Sequence, residues 1–181
     1  MPSRPAKAPT RPAKASQPPG DRWKGITESG SAIAAGLDAI ATADPSFDAK
    51  HFITGARTAY EMTVTSFAEG DRRQLRSLLS REVYNRFDAA ITEREGRGET
   101  AETRFVSIDG STVTTAELRD RTAQITVRFV SKLFAATRDR SGTVIDGNAE
   151  KVTDNRVAWT FARNISSRDP NWKIVATAPE Q

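Results

Sequence analysis

His51 is the single histidine of this 181-residue chain, and there is no cysteine. Without cysteine, disulfides, thiolate metal sites and thiol nucleophiles are excluded. His51 stands near the start of a helical pattern with no carboxylate or nucleophile motif beside it, which reads as a surface or capping residue. A metal site needs several ligands at close spacing, and no HxxxH, HxxE or carboxylate cluster occurs. Glu93 and Glu95 flank Arg94 on a charged helix end. Asp109, Asp120, Asp139 and Asp146 all fall at turn-like positions, where aspartate bonds its own backbone. Tyr60 and Tyr84 are the only phenols. No phosphate-binding glycine loop is present. The residues thus supply no nucleophile–base pair, no paired carboxylates and no ligand set, so no catalytic, cofactor-binding or metal residue is assigned.

The tryptophans are the remaining conspicuous side chains. Trp159 and Trp172 alternate with apolar neighbours on two strand-like stretches, so they read as core or pocket lining. Trp23 lies between Arg22 and Lys24 and suits a membrane interface.

The net charge of +4 is unevenly placed. Arg4, Lys7, Arg11, Lys14, Arg22 and Lys24 precede residue 25 with Asp21 as their only opposing charge, and the rest of the chain is nearly neutral. A nearly neutral folded part argues against nucleic-acid binding, which wants a basic face. Six of the nine prolines fall in residues 1–20, where "RPAK" occurs twice. Such a composition cannot bury a core. Residues 1–30 therefore read as a disordered basic Pro-rich linker, a spacer or a tether to anionic lipid. Residues 31–181 read as one domain, in keeping with the length. The mean hydropathy of -0.55 agrees with an unpacked portion. No stretch reaches the ~20 apolar residues of a membrane span, and the first residues lack a secretory apolar region.

Four helices are expected, over 31–43, 48–69, 72–79 and 81–95. Ile33, Leu37 and Ile40 make a narrow apolar stripe on the first. Phe52, Ala56, Tyr60 and Phe67 line the second. Ser80, Asp71 and Ser46 or Asp48 supply N-caps, and Gly70 a C-cap. The period then changes from 3.6 to 2. Five strands are expected, over 100–109, 112–120, 121–139, 153–164 and 172–177, with Asp109-Gly110 as a turn and 138–151 as an exposed loop. The third is long enough to need a bend or bulge. On it Ala123, Ile125, Val127, Phe129, Leu133 and Ala135 share a face. Helices first and antiparallel strands afterwards define an α+β fold.

Residues 44–99, beginning "DPSFDAKHFITGARTAYE", together with "ITVRFVSKL" (125–133), "VAWTFAR" (157–163) and "SSRDPNWKIVAT" (166–177), resemble the C-terminal domain of the Tim forty-four family. These are mitochondrial inner-membrane import adaptors and their alphaproteobacterial homologues. The resemblance runs in order over about residues 30–178. It implies N-terminal helices packed on a curved antiparallel sheet, cystatin-like or nuclear-transport-factor-two-like, with a large apolar pocket. It implies a protein that is not an enzyme: a membrane-associated adaptor engaging anionic, cardiolipin-like lipid or inner-membrane proteins, and no specific nucleic acid. Its place would be a bacterial inner membrane, peripheral or through an anchor absent from this chain, with the domain cytoplasmic. The family's first helices are implicated in membrane recruitment, which makes Ile33, Leu37, Ile40 and Trp23 the candidate lipid contacts. Phe52, Tyr60, Phe129, Trp159, Phe161 and Trp172 are the candidate pocket lining. The alternative is a soluble hydrophobic-ligand-binding domain of the nuclear-transport-factor-two-like type.

Overall fold

A computed structural model describes residues 22–180; the linker expected over 1–30 therefore lies mostly outside the described residues. Four helices come first: α1 Ala32–Ala43, α2 Ala49–Glu69, α3 Arg72–Leu78 and α4 Arg81–Gly96. Each begins on a side-chain cap. Ser31, Asp48, Asp71 and Ser80 accept backbone N–H groups of the first turns of α1 to α4 respectively. These bonds satisfy donors that a helix start otherwise leaves unpaired. Gly70 ends α2 in the left-handed region, at φ 73°.

Four strands follow: β1 Thr100–Arg119, β2 Thr122–Arg138, β3 Val144–Asn164 and β4 Lys173–Pro179. They form one antiparallel sheet in sequence order, β1-β2-β3-β4. Two expectations are corrected here. Asp109-Gly110 makes no turn. The first two expected strands are one 20-residue strand, and the local irregularity appears as three register shifts against β2, one of them between Ile108 and Gly110. Nor is 138–151 a loop. A short turn at Asp139–Thr143, held by Asp139 through the N–H groups of Ser141 and Thr143, leads straight into β3. The bulge expected in the third strand is present: between Leu133 and Ala135 the register to β3 shifts. In consequence Ala136 rather than Ala135 is the buried alanine.

The larger correction concerns the shape of the sheet. It is an open meander that neither closes nor curls into a cone, so the cystatin-like or nuclear-transport-factor-two-like curvature with an apolar pocket does not hold. Both flanking strands are already engaged. The outer edge of β4 carries a parallel bridge from Leu79 to Ile174, and the Ser80 N–H donates to the Ile174 carbonyl. On β1, the Arg57 guanidinium of α2 donates to the Ile108 carbonyl. Helix α1 comes so close that a Cβ at Gly36 would stand 1.8 Å from the Ala116 carbonyl oxygen.

The space where a cone would open is filled. Tyr60 of α2 stacks on Phe129 of β2 with ring centres 4.5 Å apart, and Trp159 of β3 meets Tyr60 edge-on at 4.9 Å. Around these rings Leu37 and Ile40 of α1, Leu75 of α3, Val83 and Ile91 of α4, Ile125 and Val127 of β2 and Ile174 of β4 are all fully buried. The alternation along β2 places Ala123, Ile125, Val127 and Phe129 under the helices. Thr126 and Thr160, on the opposite face, join hydroxyls at 2.8 Å.

Candidate functional site

Several of the carboxylates are occupied structurally. Glu93 pairs with Arg97, and Glu95 with Arg72, which also holds Asp88. Asp109 accepts from the Ser107 hydroxyl. Asp120 sits in the β1–β2 turn at φ 55°. Among the described residues no three acidic, histidine or cysteine side chains converge on a possible metal position. His51 is exposed in the first turn of α2, where its backbone N–H donates to Asp48.

The candidate lipid contacts fall mainly inside the domain. Leu37 and Ile40 are fully buried, and Ile33 is half-buried against the same core. Trp23 is only 7% exposed. Its indole Nε1–H donates to Asp38 of α1 at 2.8 Å, and Arg22 stacks above the ring. The apolar stripe of α1 therefore serves packing, since β1 offers it a dry surface.

The candidate pocket residues divide into two groups. Tyr60, Phe129 and Trp159 are core. The Tyr60 hydroxyl lies 2.9 Å from the buried Ser131 hydroxyl and accepts from Asn155 Nδ2 at 3.1 Å. Ser131 and Asn155 carry no sequence signal of their own: a serine in an apolar alternation reads as a gap until its partner across the fold is known.

Phe52, Phe161 and Trp172 come together at a different place, a cleft of about 680 Å³. One wall is α2 from Asp48 to Met62. The other is made by Gln74, Ser77 and Leu78 of α3 and by Pro170–Trp172 of the β3–β4 connection. Phe52 packs against Trp172 at 4.7 Å and against Phe161 at 5.7 Å. Phe47 bridges from Trp172 to Trp23, 6.2 Å from each. The hollow exists because α2 presents Gly55, Ala56, Thr58 and Ala59 along this side. A Cβ at Gly55 would meet nothing within 4 Å. Lys173 fixes the far wall by donating from Nζ to the Ser77 carbonyl.

One end is pinned by an ion pair. Arg163 Nη1 meets Asp44 Oδ2 at 2.8 Å, with side chains only 14% and 17% exposed. The Ser46 hydroxyl, aided by the Ser46 N–H and the Arg163 guanidinium, holds the Asp44 carboxyl below the ordinary carboxylate range, against a smaller opposing effect of burial. The pair ties the α1–α2 connection to β3. Sequence reading missed Phe47, Gly55, Met62 and Leu78. Phe47, in "DPSFD", was the readable one, an aromatic at a helix entrance.

The fold is that of an α+β domain, and its cleft is lined by aromatic side chains together with Asp48 and His51 at the start of α2 and the paired Asp44 and Arg163. The family model for the Tim44-like domain matches residues 33–179, and the chain belongs to that family. It is 22% identical over 142 residues to the uncharacterized protein RP434 of Rickettsia prowazekii (strain Madrid E), a match covering 78% of this chain and 58% of that protein. The chain thus spans less than two thirds of this curated relative. Its fold is similar to that of the intermembrane space region of the chloroplast protein ARC6: TM-score 0.50, 13% identity, 75% of this chain and 98% of that one. No described helix is long and apolar enough to cross a membrane.

Proposed function

We propose that the domain is a non-catalytic, membrane-associated adaptor that docks a protein partner in the cleft between α2, α3 and the β3–β4 connection. The observation that carries this reading is the cleft itself. Phe47, Leu78 and Trp172 are only partly buried there, and Met62 is exposed. Membership of the Tim44-like family supports the membrane link. The place of action is a bacterial inner membrane, with the domain on its cytoplasmic side. Because the apolar stripe of α1 is used in packing, lipid attraction rests on the basic residues from Arg4 to Lys24, which act on anionic headgroups through charge.

Flotation of the full chain tests the lipid part. It is expected to rise with vesicles containing cardiolipin at low salt, and to stay down with phosphatidylcholine alone or at high salt. Recovery in the soluble fraction under all three conditions removes lipid binding from the proposal. A photoreactive residue at Met62, irradiated in isolated membranes, is expected to yield a membrane-protein adduct. Absence of any adduct removes the adaptor part.

A further inference from the structure

The cleft has a curious neighbour in the sequence. "PSRPAKA" at 2–8 is followed directly by "PTRPAKA" at 9–15, two copies of one heptad differing at a single position. Each contains a P-x-R-P core. Proline-rich segments are recognised by grooves lined with aromatic side chains. Such ligands need few backbone hydrogen bonds from their host, and they lose little conformational entropy on docking. The cleft has that lining in Phe47, Phe52 and Trp172, with Leu78 opposite. One carboxylate there is open to a basic ligand: Asp48 stands on the rim with no cation within ion-pair distance among the described residues, while Asp44 at the same end is paired with Arg163.

The lengths agree as well. The α2 wall from Asp48 to Met62 runs about 21 Å at 1.5 Å per residue. About seven residues of polyproline chain cover that distance at 3.1 Å each, which is one heptad. The point of attachment is adjacent. Trp23 packs against Phe47, and Phe47 lines the cleft. A segment joined that close is present at roughly millimolar effective concentration, so a weak site suffices. Finally, Gly55 is unexplained by packing. Glycine inside a helix is unfavourable, and no neighbour here forbids a side chain. An open helix wall is what glycine at this position provides.

We infer that the cleft is the docking site of the chain's own "P-x-R-P-A-K-A" repeat, engaged within the same molecule. The repeat then competes with the external partner for one surface. Its lysines and arginines are also the residues assigned to anionic lipid, so binding to a membrane draws the repeat away and frees the cleft. This rests on reading the cleft as a docking surface, and its test contains no membrane, so its failure leaves the lipid result standing.

The absence of native cysteine makes the test direct. Ala8→Cys in the full chain carries a nitroxide label, and paramagnetic loss of amide signal is read by NMR. The expected result is selective loss at Gly55, Thr58, Ser77 and the Trp172 indole. That loss disappears in Gly55→Leu, whose added side chain fills the groove, and weakens in Arg4→Glu/Arg11→Glu, which changes no residue of the cleft. Uniform or absent broadening overturns the inference. So does broadening that survives Gly55→Leu. Equal broadening when a labelled, isotopically silent chain is mixed with an unlabelled ¹⁵N chain shows contact between copies, and overturns it too.

Discussion

Two glycines sit inside helices of this domain in opposite surroundings, and the same substitution at each should give opposite results. In a free helix, glycine to alanine is worth up to about 1 kcal/mol of stability. At Gly55 the new Cβ meets nothing within 4 Å, so Gly55→Ala should realise most of that gain. At Gly36 the new Cβ falls 1.8 Å from the Ala116 carbonyl oxygen and 2.5 Å from its carbon. Ordinary contact needs roughly 3.4 Å, so α1 must retreat from β1 by about 1.5 Å. Leu37 and Ile40 are fully buried on that helix and would lose contacts with it. Strain of this kind costs about 1–3 kcal/mol and outweighs the propensity gain. Gly36→Ala should therefore lower stability by about 2 kcal/mol, or roughly 4–8 °C in Tm for a domain of this size. Urea unfolding at constant m, with thermal melts alongside, reads both variants. Equal effects at the two sites, or no loss at Gly36, would refute the view that α1 is held against β1 by close backbone approach.

Tyr60→Phe removes the hydroxyl that partners buried Ser131 and should cost about 1–3 kcal/mol. The double variant Tyr60→Phe/Ser131→Ala should cost less than the sum of the singles in a denaturant cycle, because it leaves no orphaned hydroxyl. Trp23→Ala should destabilise by about 3 kcal/mol, since the ring is packed and bonded to Asp38. Unchanged urea stability would return Trp23 to the role of a surface anchor. Asp44 has a folded-state pKa lowered from 3.8, so its contribution is complete above that value and is lost as pH falls through the lower folded-state value. Asp44→Asn should flatten the decline of stability below about pH 4; a slope identical to that of the parent chain would count against the Ser46 and Arg163 contacts. Asp139, lowered mainly by the Ser141 hydroxyl, should leave a residual slope in that variant.

Helices were the legible part of the sequence because their signals are local. Ser31, Asp48, Asp71 and Ser80 are caps that act within three residues, and Gly70 ends α2 through its own φ. Strand faces were legible for the same reason: Ile125, Val127 and Phe129 alternate, and so do Trp159 and Phe161. Strand boundaries were less so. Asp109-Gly110 has the composition of a turn, yet the partner strand continues past it, and pairing with β2 carries β1 through as a bulged strand. The site was half legible. Phe52, Phe161 and Trp172 were named as lining, but for an apolar interior that Tyr60, Phe129 and Trp159 in fact fill.

By itself, then, the sequence determined the four helices and the antiparallel strands that follow them, the family and the placement of its basic charge. Each of these depends on residue identity or on neighbours a few positions apart. Only the tertiary structure decided that the sheet stays open, that Trp23 and the α1 stripe are packed away, and that the accessible aromatic surface is a cleft beside α2. Those outcomes turn on contacts between distant segments: Gly36 with Ala116, Leu79 with Ile174, Phe47 with Trp23 and Trp172. An apolar side chain looks the same in sequence whether it packs inward or waits for a partner, and the surface opposite it settles which.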